Sequence, residues 1–399
     1  MLRDKILIRS CEFFMIRYGR DDTMRKEDFS QSFAQLYLRV LKETTGKTKF
    51  VYDAKQLKSL FHPAVHKPYW KLDEIMTEDN KTLDGKPISK DVAAVLRALA
   101  KQGEQQAFCL VAPAFRGQFS DLVTPGMMRT AFKSIGFDGF IEIAVFADIL
   151  TLREALEFER NIRTQQDYML TSCCCPMWLA MIRKLYSCLM PHVPASVSPM
   201  IAAGRVVKKL HPGALTVFIG PCLAKKAEAR EPDVAGAIDY VLTFKEIKEM
   251  FNLLQVDLMA QDDMVREYSS EAGRIYARAG GVSDAVNATI ARISPHRRIT
   301  VHAEHADGVA ACKEMIDRLV QGKTTANFFE GMGCKGGCVG GPRALLSVDD
   351  GRERVNSYGD KALYRTPLDN PYVLDVLYHL GFTTLQSLLD DKEMFVRTL

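Results

Sequence analysis

The 399-residue chain has little excess charge of either sign, with 53 basic against 49 acidic side chains and a formal net charge of +4. Binding of nucleic acid through bulk charge is therefore not expected. It also has no run of eighteen apolar residues, which excludes an evident membrane-spanning helix. The opening Met1-Leu2-Arg3-Asp4-Lys5-Ile6-Leu7-Ile8-Arg9 interrupts its apolar stretch with charges too often for a secretory leader. Internal repeats and low-complexity tracts are absent. With 47% hydrophobic and 26% charged residues the composition is that of a soluble globular protein of two or three domains, and a cytoplasmic setting is expected.

Cysteine is what the sequence does have. Six of its ten cysteines fall in three short loops: Cys173, Cys174 and Cys175 are consecutive, Cys222 follows Pro221, and Cys334 and Cys338 share a glycine-rich segment. Cys11, Cys109, Cys188 and Cys312 stand alone and read as small core residues. A disulfide framework belongs to small secreted chains, so metal or redox chemistry is the leading reading of the clustered thiols.

Residues 1–100 read as a separate, mainly helical N-terminal region, with helical periodicity at 12–18 and 33–41 and a loop or linker around Pro63, Pro68, Gly85 and Pro87. They hold none of the closely spaced cysteine runs that carry additional clusters. Beyond them helices and strands alternate. Val92–Leu99, Met127–Ile135 and Thr151–Arg163 read as helices, while Ala107–Ala112, Ile141–Val145 and Leu215–Ile219 read as short buried strands. This pattern predicts an α/β architecture, with the cysteine loops at strand ends and helix starts, where such folds place their chemistry.

Glycine fills six of the eleven positions from Gly331 to Gly341. Such a loop can curl around a bulky inorganic group and aim its amides at sulfur. A cubane cluster needs four thiolates, and Cys222, Cys334, Cys338 and one of the triple supply that number. Structural zinc sites favour Cys-x-x-Cys pairs, a spacing that neither loop has.

The motifs Thr-Ser-Cys-Cys-Cys-Pro-x-Trp (Thr171 to Trp178), Pro-Cys-x-x-Lys-x-x-Glu (Pro221, Cys222, Lys225, Glu228) and Phe-x-Glu-x-Met-x-Cys-x-Gly-Gly-Cys-Val (Phe328 to Val339) resemble, in this order, the three signatures of the iron-only (FeFe) hydrogenases. The resemblance covers about residues 105–345. It implies a catalytic domain over 101–399 with two α/β lobes, roughly 101–205 and 206–399, whose mixed sheets enclose the H-cluster. That cofactor is a four-iron four-sulfur cubane joined to a di-iron unit bearing CO, cyanide and a dithiolate. The implied activity is reversible reduction of protons to dihydrogen. The implied partners are ferredoxin or a similar one-electron carrier, received on a patch with Lys335 and Arg343, and the maturation enzymes that install the di-iron unit.

Carried over residue by residue, the resemblance makes Cys175, Cys222, Cys334 and Cys338 the cubane ligands, with Cys338 bridging to the di-iron unit. Lys225 matches the lysine that pairs with an iron-bound cyanide, and Glu228 stands in the same motif. Pro113 and Met332 match residues lining the di-iron pocket. Cys174 is the proton-transfer thiol, and Glu154 and Glu157, spaced i and i+3, match two relay glutamates. Without the resemblance, these two read as solvated charges on a helix that also carries Glu159 and Arg160.

Several positions depart from the family pattern. Cys173 is an additional thiol, expected beside the cofactor. Gly220 stands where methionine is common and Met200 where a glutamine is. The serine after the first signature aligns with Pro194, leaving Ser196 or Ser198 as substitutes, and Gly341-Pro342-Arg343 shortens the usual ending. Two other readings belong to the same resemblance: a low-activity sensor of dihydrogen, and an iron-sulfur assembly scaffold without a di-iron unit.

Overall fold

The computed structural model describes residues 58–101, 105–171, 174–264 and 269–399, with a few positions between 32 and 42. The helices expected at 12–18 and over most of 33–41 lie outside the described residues, as does Cys173.

Among the described residues, seven strands form two sheets. The first has the order β2-β1-β4-β5, from β1 (Ala107–Val111), β2 (Gly139–Glu142), β4 (Leu215–Gly220) and β5 (Tyr240–Thr243); the second has the order β3-β7-β6, from β3 (Met169–Leu170), β6 (Ala303–Asp307) and β7 (Phe328–Met332). Every pairing between these strands is parallel, where mixed sheets were expected. The reason lies in the connections: helices link successive strands and cover both faces, which leaves β1 and β4 buried at every residue.

Alternation along β1 sorts its side chains between two cores. Phe108 and Leu110 face helices α3 (Ala144–Asn161) and α5 (Pro199–Leu210), whereas Ala107, Cys109 and Val111 face α1 (Lys90–Ala100), α2 (Pro125–Ser134) and α7 (Phe244–Leu253). The second sheet divides likewise. Phe328 and Met169 pack towards α3 and α8 (Gly281–Ile293), and Leu170 and Phe329 towards α4 (Pro176–Leu185) and α9 (Val309–Val320).

Helix α3 contributes to the core of each sheet, through Ile149, Leu152 and Leu156 on one side and Ala147, Ala155 and Phe158 on the other. Its residues from Ala144 to Glu159 are all buried. The expected strand Ile141–Val145 is therefore corrected: β2 ends at Glu142 and the helix starts at Ala144. A short run buried on all sides has no periodicity with which to separate strand from helix.

The sheets also cut across the expected lobes. β1 and β2 precede residue 205, β4 and β5 follow it, and all four share one sheet, while β3 pairs with β7 far along the chain. Nor is the stretch around Pro63 to Pro87 a free linker. Trp70, Met76 and Ile88 are buried in the core that holds β1, and the Trp70 indole donates to the Ile135 carbonyl at 3.2 Å.

Candidate metal centre

Parallel pairing brings the carboxyl ends of neighbouring strands together. Pro113 follows β1 in a buried 3-10 turn, and Pro221-Cys222 follows its neighbour β4. In the other sheet Thr171 to Cys175 follows β3, and Cys334 follows its neighbour β7. The three cysteine loops thus open from strand ends, and four thiols within them, Cys175, Cys222, Cys334 and Cys338, lie close enough to perturb one another.

Burial pushes the Cys334 thiol up to about 11, and neighbouring Cys222 and Cys175 add to the shift. Burial also raises Cys338, again with Cys222 and Cys175 contributing, and raises Cys222 against the pull of Lys225. Protein alone therefore disfavours the thiolates here. Coordination to iron removes the protons outright and spreads the charge, so the donor set suits a metal group.

The surrounding backbone fits the same conclusion. The Gly333 amide donates to Cys175 Sγ at 3.3 Å. Gly337 adopts a φ of +85°, and a Cβ there would lie 2.7 Å from the Ala279 amide nitrogen and 3.0 Å from Met332 Sδ. Thr171 Oγ1, in the loop leading to Cys175, is buried and has no hydrogen-bond partner among the described residues. No three His, Cys, Asp or Glu among those residues converge closely enough to hold a single ion.

Some of the other expected residues sit near these thiols. Cys174 and Met332 are buried in one apolar cluster with Ala147 and Ala155 of α3, against which Cys175 and Cys338 also pack. Lys225 and Glu228 are buried on α6 (Ala224–Glu228), and Lys225 Nζ donates to Glu228 Oε2 at 2.6 Å. Burial opposes the Lys225 charge; attraction to Glu228, Cys222 and Cys338 outweighs it and holds the ammonium's pKa above its ordinary value.

Glu154 and Glu157 are both buried, so the solvated reading fails for each. Glu157 accepts from Asn161 Nδ2 at 3.2 Å, from Arg153 at 3.5 Å and from Arg160. Glu159 is buried too and pairs with Arg297 at 2.6 Å. Of the two substitute serines, Ser198 caps α5 by accepting from the Ile201 amide, whereas Ser196 Oγ is buried without a hydrogen-bond partner among the described residues.

Other departures have plain causes. A side chain at Gly220 would meet the Phe218 ring at 2.8 Å and Ala112 Cβ at 3.1 Å, so a methionine there would need that ring to move. Met200 packs in the core shared by α3 and α5. Cys109 and Cys312 are buried core residues as expected, but Cys188 is half-buried and disulfide-bonded.

Sequence reasoning assigned no role to Glu330, which proves to be a buried carboxylate accepting from the Gly280 amide at 2.9 Å and from the Ser283 amide and hydroxyl at 2.8 and 2.7 Å. It also passed over Asp307, which accepts from the Gly336 amide at 2.8 Å and steadies the cysteine loop. The signal for Glu330 was present, as an acidic residue in an otherwise apolar strand.

Comparison with known proteins bears on the fold and the family. The solved structure of an FeFe-hydrogenase HydA1 variant from Chlamydomonas reinhardtii matches with a TM-score of 0.59 at 22% identity, covering 72% of this chain and 94% of that one, which is a likeness of fold. The periplasmic Fe hydrogenase large subunit of Nitratidesulfovibrio vulgaris is 26% identical over 308 residues, 64% of this chain and 73% of the relative. Cytosolic iron-sulfur assembly component 3 of Pongo abelii is 24% identical over 324 residues, 67% of each chain. The family model described as iron only hydrogenase large subunit, C-terminal domain, matches residues 105–342, a span that includes all three cysteine loops. By that match, over more than half its length, the chain belongs to the iron-only hydrogenase large-subunit family.

Proposed function

We propose that the chain is an FeFe hydrogenase that interconverts protons and dihydrogen with an external one-electron carrier. The observation that carries this reading is Lys225, a buried ammonium beside Cys222 and Cys338. A cubane by itself asks only for four thiolates. A cation held in a dry pocket next to them suits an anionic ligand on a further metal unit, which it would grip by a charge-assisted hydrogen bond.

In this reading Cys175, Cys222, Cys334 and Cys338 would hold the H-cluster. Bound there, the H-cluster supplies the iron at which dihydrogen is made and split. Buried Pro113 and Met332 keep water from it. Cys174 Sγ holds and passes a proton within the apolar cluster, and Glu154 and Glu157 extend the relay along α3. Glu228 balances the Lys225 charge.

Lys335 and Arg343, in and just after the Cys334 loop, are exposed, as are Met177 and Leu223, which follow Cys175 and Cys222 in the chain. Exposed apolar and cationic side chains around the cysteine loops suit a small acidic carrier of the ferredoxin kind. Dedicated maturation enzymes supply the di-iron unit.

An infrared spectrum of protein matured and purified without air tests the proposal. Bands of iron-bound CO and cyanide are expected, together with hydrogen evolution from a reduced carrier. The similarity to a cytosolic iron-sulfur assembly component favours a second reading, a cluster protein without a di-iron unit. That reading predicts four irons per chain and no such bands.

A further inference from the structure

The chain runs on past residue 342, where the family match stops, and its last residues form a clasp on the second signature. Phe395 is buried in the core beside α5, the Val197 amide donates to its carbonyl at 2.9 Å, and the Arg397 amide donates to the Ala195 carbonyl at 2.9 Å. Residues 395–397 thus lie antiparallel along 195–197. Arg205 of α5 holds the same turn, donating to the Glu393 and Val396 carbonyls at 2.6 Å each and to the Asp233 carbonyl at 2.9 Å.

What the clasp delivers is the buried side chain of Arg397. Its Nε and Nη2 donate to the Asp233 carboxylate at 3.0 and 3.1 Å, Nη2 also reaches Glu231, and Nη1 lies 3.8 Å from Glu228 Oε1. The other Glu228 oxygen accepts from Lys225 at 2.6 Å. Glu228 is therefore a buried carboxylate shared by two cations, one beside the thiols and one fixed to the end of the chain.

We propose that Arg397 is a positioning residue for the metal centre, taking up part of the Glu228 charge so that the Lys225 ammonium stays available to an anionic ligand on the metal group. This rests on the functional reading above. An ammonium has three donors and Glu228 occupies one of them. How closely Lys225 is drawn to Glu228 depends on how much of that carboxylate's charge is balanced elsewhere, and in a buried site a second cation at 3.8 Å counts heavily. Without Arg397, Lys225 is the principal counter-charge and the pair closes on itself. The partly exposed Glu231 and Asp233 balance Arg397 in turn and fix its direction.

The test compares wild type with Arg397→Gln, both given a cubane and then a synthetic di-iron dithiolate complex carrying CO and cyanide, without air. Wild type is expected to show CO and cyanide infrared bands. Arg397→Gln is expected to keep the cubane absorbance, to show a displaced cyanide band and to retain the complex about tenfold less well. In a Glu228→Gln background the same substitution should change neither. Asp233→Asn loosens Arg397 without leaving a bare buried carboxylate, and should displace the band in the same direction by less; it decides the matter if Arg397→Gln does not fold. The inference is overturned if bands and retention in the variants match wild type, or if Arg397→Gln acts as strongly when Glu228 is Gln. A cubane-bearing wild type with no CO or cyanide bands overturns the functional reading, and this inference with it.

Discussion

Glu330 and Ser283 are joined twice, since one oxygen of the buried Glu330 carboxylate accepts both the Ser283 amide at 2.8 Å and its hydroxyl at 2.7 Å. The other oxygen accepts the Gly280 amide at 2.9 Å. A strand that ends two residues later, at the start of the Cys334 loop, is thereby pinned to the first turn of α8, whose free amides and positive dipole end favour an anion.

Removing that carboxylate should loosen the loop from its support. Glu330→Ala leaves three donors without their acceptor, and a loss of about 1–3 kcal/mol or more in unfolding free energy is expected. Urea denaturation of the cluster-free chain measures it; an unchanged midpoint would mean that the pin contributes nothing.

Iron content should separate the cysteines by position. Cys222→Ala is expected to lose the cubane absorbance, whereas Cys109→Ala, buried in β1, should keep its iron and lose only packing energy of about 1 kcal/mol. Because bound metal stabilises only the folded state, chelation should lower the Tm of wild type but not that of Cys222→Ala.

Glu154→Gln removes a titratable proton from a fully buried position while keeping its shape. A fall of about a hundredfold or more in hydrogen evolution is expected, with the CO and cyanide bands unchanged. A variant that retained full activity would take Glu154 out of the proton relay.

Stability should depend on pH through Asp148. Burial pushes its carboxyl up to about 6 from an ordinary 3.8, although Ser270, Asn370 and the Gly273 amide all donate to it. A raised acid binds its proton more tightly when folded, so stability falls as pH climbs from 3.8 to about 6, by about 3 kcal/mol, and stays lower above that range. Asp148→Asn should lack this decline. Denaturation of both forms between pH 4 and pH 7.5 isolates it as their difference.

At Gly337 the backbone has a positive φ, and the space for a Cβ is taken by the Ala279 amide and Met332. Gly337→Ala is expected to cost about 1–2 kcal/mol from the backbone conformation alone and to lower cubane occupancy. Iron-to-protein ratios after reconstitution check this.

The signature loops were legible in the sequence because their chemistry is local. Thiol spacing, glycine density and adjacent prolines lie within a dozen residues of one another, and cluster binding depends on that spacing. The alternation of helix and strand was legible for the same reason, as the boundaries of α1, α2 and β1 show. Where a segment is buried on all sides the signal vanishes, which is why α3 begins seven residues before its expected start and the strand expected at Ile141–Val145 gives way to it.

Charge pairing between distant parts of the chain leaves no local trace at all. Glu154 and Glu157 look solvated beside Glu159 and Arg160, and only the packing of two cores against one helix buries them. Arg397 is one arginine in a charged tail until the fold sets it against Glu228, Glu231 and Asp233. The sequence by itself determined where the clustered thiols and the glycines around them stand along the chain. The tertiary structure decided which strand ends bring those residues together, and which charges are taken out of water and so become strong enough to matter.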